Sequence, residues 1–130
     1  MQTSRAGGMV WTGRAVTALV AFPFIPGALM AFLRKPEVIQ GMAHMGLPES
    51  LILPLGILEL ICVTAYLIPR TAILGAILLT GYMGGAILTH LRLGEPVYLQ
   101  TALGVLAWLG IYLREPRLRR ILPWRNDIGQ

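Results

Sequence analysis

The sequence predicts an all-α polytopic membrane protein: an antiparallel bundle of four transmembrane helices with both termini cytoplasmic. Three observations carry that expectation. The 130 residues are 55% apolar and only 13% charged, against about 25% charged in ordinary soluble domains, and the mean hydropathy is +0.67. Four apolar runs of 17 to 21 residues follow one another, more than a soluble domain of this length can hide in one core. The basic residues are also distributed unevenly over the connections. Arg5, Arg14, Arg70 and five arginines from Arg114 to Arg125 share one side of a four-span arrangement, and Arg34, Lys35 and Arg92 share the other. The positive-inside rule then places both termini in the cytoplasm, in a multi-pass protein of the cell (inner) membrane.

Residues 1–14 read as a polar cytoplasmic tail of the kind that stays mobile. The first span, 15–33, is too long for a signal peptide and is followed by Arg34-Lys35-Pro36 rather than a cleavage site. Pro23 and Pro26 free the carbonyls of Leu19 and Phe22 and predict a kink. Residues 34–50 form an amphipathic outer loop in which Val38, Ile39, Met42 and Met45 repeat at helical spacing. The second span, 51–69, is entered through Pro54 and carries Glu59, Cys62 and Tyr66 on one face. Pro69-Arg70 makes a tight turn, so the third span, 71–91, packs antiparallel beside it. Gly81 and Gly85 there form a G-x-x-x-G pair suited to close helix approach, within the chain or in a homo-oligomer. The fourth span, 97–113, bears Gln100 and Trp108, and 114–130 is a basic cytoplasmic tail with Trp124 as an interfacial anchor.

The formal charge of +5 is therefore read as a membrane flank facing anionic lipid and not as a nucleic-acid surface. A single cysteine, Cys62, excludes an internal disulfide and a C-x-x-C redox motif. No three-ligand metal set, nucleophile and base pair, phosphate loop or dinucleotide fingerprint is present.

Helical rise converts residue number into depth. Glu59 falls near the middle of its span, where an isolated ionised carboxylate is expensive and should be protonated, paired or wet. Tyr82 in the third span lies at comparable depth and is its candidate hydrogen-bond partner, with Thr80 second. His90, Arg92 and Gln100 gather at the outer side with His44, Glu49 and Glu95, which predicts a polar mouth above Glu59. Glu59 and His90 are thus the candidate catalytic or proton-handling residues, and Tyr66, Thr80, Tyr82, Arg92 and Gln100 the candidate ligand contacts. A haem held by His44 and His90 is the weaker option, because one of the two lies in a loop.

The runs Leu55-Gly-Ile-Leu-Glu-Leu60, Tyr66-Leu-Ile-Pro-Arg-Thr-Ala72 and Gly81-Tyr-Met-Gly-Gly-Ala-Ile-Leu-Thr-His-Leu-Arg-Leu-Gly94, with the loop Met45-Gly-Leu-Pro48, resemble the DoxX-like family of small four-helix membrane proteins. The resemblance implies an association with redox systems, since the family is named for a membrane subunit linked to a thiosulfate:quinone oxidoreductase. It maps family positions onto Glu59, His90 and Arg92, with Gly84 and Gly85 as the packing feature.

Three functions are compatible with these residues. The first is a redox-associated subunit that binds a quinone or other apolar small molecule in a bundle pocket, with Glu59 and His90 as polar groups. The second is a stand-alone isomerase, hydrolase or cyclase using Glu59 as acid or base on an apolar substrate. The third is a non-catalytic scaffold or assembly factor that holds a membrane-protein partner.

Overall fold

The computed structural model describes residues 2–122, and every regular element among them is helical. In chain order these are α1 (Gln2–Ala21), α2 (Phe24–Phe32), α3 (Pro36–His44), a 3-10 turn (Glu49–Leu51), α4 (Ile52–Leu67), α5 (Ala72–Arg92), α6 (Tyr98–Arg114) and α7 (Pro116–Arg119). Three helical stretches are long and apolar enough to cross a membrane: Gly7–Phe32, Glu49–Leu67 and Ala72–Arg92. At 17 residues, α6 spans about 26 Å, slightly less than a hydrocarbon core of about 30 Å. Trp124 and Arg125, part of the expected tail anchor, lie outside the described residues.

The first helix differs most from the expectation. It starts at Gln2, so the expected mobile tail is helical. The reason is packing: Gly13 of α1 lies so close to α6 that a Cβ there would meet the Gly110 carbonyl at 2.8 Å and Arg114 at 3.0 Å. Pro23 interrupts the helix, separating α1 from α2 at Phe22–Pro23, as the missing amide donor requires.

Glycine and alanine set the helix pairings. Gly27 meets Glu59, and Gly56 meets Ala31, so α2 and α4 run antiparallel. Gly75 of α5 lies directly against the backbone of Ala65 and Tyr66 in α4, across the short 68–71 connection. By contrast, Gly81, Gly84 and Gly85 have no atom within 4 Å of where a Cβ would stand. The G-x-x-x-G pair therefore does not mediate the packing inside the chain. Contacts run from α1 to α6, α6 to α5, α5 to α4 and α4 to α2, and since α2 continues α1 they close a ring.

Inside that ring the main core collects Val20, Phe24, Cys62, Val63, Tyr66, Leu79 and Ile111. Tyr66 is fully buried, and its hydroxyl donates to the Ala107 carbonyl at 2.8 Å. A second, smaller core of Ala31, Met42 and Ile52 lies beneath α3, with Val38, Ile39 and Met45 packed on it, which is the amphipathic face that the sequence predicts. Large apolar side chains also cover the outside, among them Phe22 at 74% and Leu88 at 70% exposure. Such a surface is a liability in water and ordinary in contact with lipid.

Candidate functional site

The ends of the helices are organised by three left-handed residues. Arg34, Gly46 and Gly94 have φ of 48°, 70° and 72°, and each closes a Schellman motif. At the end of α5, Gly94 N–H donates to the Leu91 carbonyl at 3.0 Å and Glu95 N–H donates to the His90 carbonyl at 3.1 Å. This backbone reversal carries the Glu95 side chain back to His90. His90 Nδ1 then donates to Glu95 Oε2 at 2.7 Å, and His44 Nε2, from the end of α3, donates to Glu95 Oε1. An ionised carboxylate only accepts, so the imidazole nitrogens that face it carry the protons. The two donors, His44 first and then His90, hold the Glu95 carboxyl below the usual carboxylate range.

Arg92 donates to the Met45 carbonyl, and Arg34 pairs with Glu49 at 3.1 Å. These bonds fasten α3 and its flanks to the ends of α2 and α5. The residues that the sequence assigns to one outer side are therefore gathered at one end of the helices. His90 and Arg92 face Glu95 and the Met45 carbonyl, and neither reaches Gln100 through a hydrogen bond.

Glu59 lies elsewhere, at the interface of α4 with α2. Its Oε1 stands 2.9 Å from where a Gly27 Cβ would be, so the carboxyl occupies the space that glycine leaves. Tyr82 packs edge-on against Phe24, with ring centroids 6.2 Å apart. Neither Tyr82 nor Thr80 hydrogen-bonds Glu59, contrary to the expected pairing. The Thr80 hydroxyl is used differently: it donates to the Ala76 carbonyl at 2.7 Å and accepts the Trp108 indole N–H at 2.8 Å. Tyr66 is likewise committed, to Ala107.

Thr80 and Gln100 are brought together by a cleft of about 490 Å³ between α5 and α6, a volume typical of small-molecule sites, which run from about 300 to 1,000 Å³. Its space exists because Gly84 and Gly104 contribute no side chain to it. Met83, Ile87 and Val105 make the walls apolar. Trp108 bounds one end, and Gln100 lies eight residues away on the same helix, about 12 Å along the axis. The Gln100 carboxamide oxygen is buried without a hydrogen-bond partner among the described residues. Trp108, Gly84 and Gly104 were not among the candidate ligand contacts, and the resemblance gave Gly84 only a packing role. No group of three or more His, Cys, Asp or Glu side chains able to hold a metal occurs among the described residues.

A model of the DoxX-like family matches residues 15–111, about three-quarters of the chain. The chain belongs to the DoxX-like family. With its apolar helices this makes it a small membrane protein in contact with the lipid bilayer. Among curated proteins and among solved structures, nothing matches. The DoxX-like segment includes Glu59, the cleft and the His44–Glu95–His90 cluster, whereas Arg14, Arg114 and Arg117 fall outside it.

Proposed function

We propose that this DoxX-like protein is a multi-pass cell-membrane subunit of a redox system and binds a quinone, or an apolar molecule of similar build, in the α5–α6 cleft. In this reading α1 with α2, α4, α5 and α6 are the four spans, and both termini are cytoplasmic. The observation that carries it is the Gln100 carboxamide oxygen, buried without a partner among the described residues beside an otherwise apolar cleft. A buried amide without a partner is costly by about 1–3 kcal/mol, and a lipid chain alone offers it nothing. A ligand with a flat apolar body and a polar head does: the hydroxyl of its reduced form donates to the carboxamide oxygen. Trp108, fixed by Thr80, supplies a flat wall for the ring. Glu59, one helix away beside Tyr82, is the group that takes up or releases protons as the ligand changes redox state.

The test is chemical. The full chain is purified in a mild detergent from membranes containing quinone and extracted with solvent. A stoichiometric compound whose ultraviolet absorbance changes on borohydride reduction supports the reading, and an extract without one contradicts it.

A second reading, a membrane-embedded isomerase, hydrolase or cyclase, is favoured by one feature: the Glu59 carboxyl has no hydrogen-bond partner among the described residues. It requires Glu59→Gln to abolish turnover of an apolar substrate while leaving quinone binding unchanged. Full activity in a folded Glu59→Gln variant removes it.

A further inference from the structure

At the end of the helices opposite to α3, a cavity of about 400 Å³ is lined by Arg14, Arg70, Arg114 and Arg117. The four arginines come from different elements: α1, the α4–α5 turn, the last residue of α6, and α7. One carboxylate, Glu115, shares the lining, and its Oε1 accepts the Arg117 backbone N–H at 3.2 Å as the cap of α7. Among the described residues, none of the four guanidiniums is within salt-bridge distance of a carboxylate. Four like charges around one hollow make it electropositive, a setting that attracts an anion.

The site is built as well as charged. Arg114 Nη2 donates to the Tyr66 carbonyl at 3.1 Å, and the guanidinium lies 5.6 Å from the centroid of the Tyr66 ring. Arg114 is thereby held on the largest fully buried side chain of the core, with most of its five N–H donors still free. Arg14 is steadied over Trp11, 5.3 Å from the ring centroid. A planar, charged fork with fixed orientation suits the paired oxygens of a phosphate better than a lone halide. Apolar side chains, Ile73 and Ile111 among them, form the remaining wall, which suits an anion attached to an organic body.

We propose that this cavity binds a phosphate group, carried by an anionic phospholipid headgroup or present as free phosphate. The proposal does not depend on the quinone reading, because the two sites are at different ends of α6. The test follows the thermal midpoint of the full chain in a mild detergent at constant ionic strength. The protein is titrated with short-chain phosphatidylglycerol, with inorganic phosphate, or with short-chain phosphatidylcholine as the zwitterionic control.

Saturable stabilisation by phosphatidylglycerol alone assigns the site to a lipid headgroup, and stabilisation by inorganic phosphate as well assigns it to phosphate in general. Arg70→Gln and Arg117→Gln each weaken the midpoint concentration about tenfold, the loss of one charge-assisted contact. Arg70→Lys gives an intermediate value, because the charge remains and the fork is lost. Arg120→Gln, an exposed residue of the same segment outside the cavity lining, binds as wild type. Should Arg70→Gln fail to fold, Arg117→Gln against Arg120→Gln makes the same comparison. Stabilisation no greater than that by phosphatidylcholine overturns the proposal, as does an equal loss in Arg117→Gln and Arg120→Gln.

Discussion

Trp108 of α6 donates its indole N–H to the Thr80 hydroxyl of α5 at 2.8 Å, and this bond ties the two helices together beside the cleft between them. Thr80 holds its own orientation through the Ala76 carbonyl one turn back. The ring of Trp108 is therefore fixed by a short chain of bonds that begins in the α5 backbone. A fixed flat wall beside the cleft follows from two side chains of ordinary chemistry on neighbouring helices.

Removing that bond has a defined cost. Thr80→Val keeps the volume and leaves the indole N–H unpaired, so unfolding measured in detergent should show a loss of about 1 kcal/mol. A double-mutant cycle with Trp108→Phe should return a coupling energy of similar size. Additive losses would mean that the two residues do not act together.

Gly75 and Gly81 make opposite predictions although both are glycines of α5. A Cβ on Gly75 has no room against Tyr66, so Gly75→Ala should destabilise by about 1–3 kcal/mol or more. Gly81 faces open space, so Gly81→Ala should stabilise through helix propensity by up to about 1 kcal/mol. Thermal midpoints of the two variants against wild type decide the matter. Equal effects would place the close approach of α4 and α5 in doubt.

The pH dependence of stability should carry the signature of Glu95. Its folded carboxyl titrates below its unfolded value because His44 and His90 donate to the ionised form. The contribution is therefore complete above the unfolded value and is lost as pH falls through the folded one. Glu95→Gln should lower the thermal midpoint near neutral pH. The gap to wild type should close as the pH drops below the ordinary carboxylate range of about 4. A gap that persists in acid would mean that the residue acts by packing alone.

Much of the helical layout was legible. The bounds of α4, α5 and α6 follow the apolar runs 51–69, 71–91 and 97–113 to within two residues, because lipid-facing helices are continuous in hydropathy whatever they pack against. The start of α1 was not legible. Arg5, Gly7, Gly8 and Arg14 carry no apolar signal, and what accompanies the helix there is the approach of Gly13 to Gly110, a contact 97 positions apart.

The candidate site divided in the same way. Thr80 stands out in sequence as a polar residue at depth and Gln100 as one at the outer side, and both line the cleft. Glu59 and His90 stand out equally, and they sit at other interfaces because helix rotation, which hydropathy does not encode when all faces are apolar, decides where each side chain goes. The cleft itself is made by missing side chains. Nothing among the 15 glycines of the chain marks Gly84 and Gly104 as the two that leave a hollow. Glu95 had a local signal: Gly94 after the last apolar turn of α5 is a Schellman glycine, and the residue that follows it returns to the helix end at His90.

The most direct test of the central claim is a titration of the full chain with a short-chain quinone, read by quenching of tryptophan fluorescence, for wild type against Gly104→Leu. Gly104 lines the cleft and has no atom within 4 Å of its missing Cβ, so a leucine side chain there starts in open space and occupies the cleft. Saturable quenching is expected in the wild type and an affinity at least about tenfold weaker in Gly104→Leu, at an unchanged or higher thermal midpoint. Equal binding by the two proteins, or no saturable quenching in the wild type, would contradict that claim.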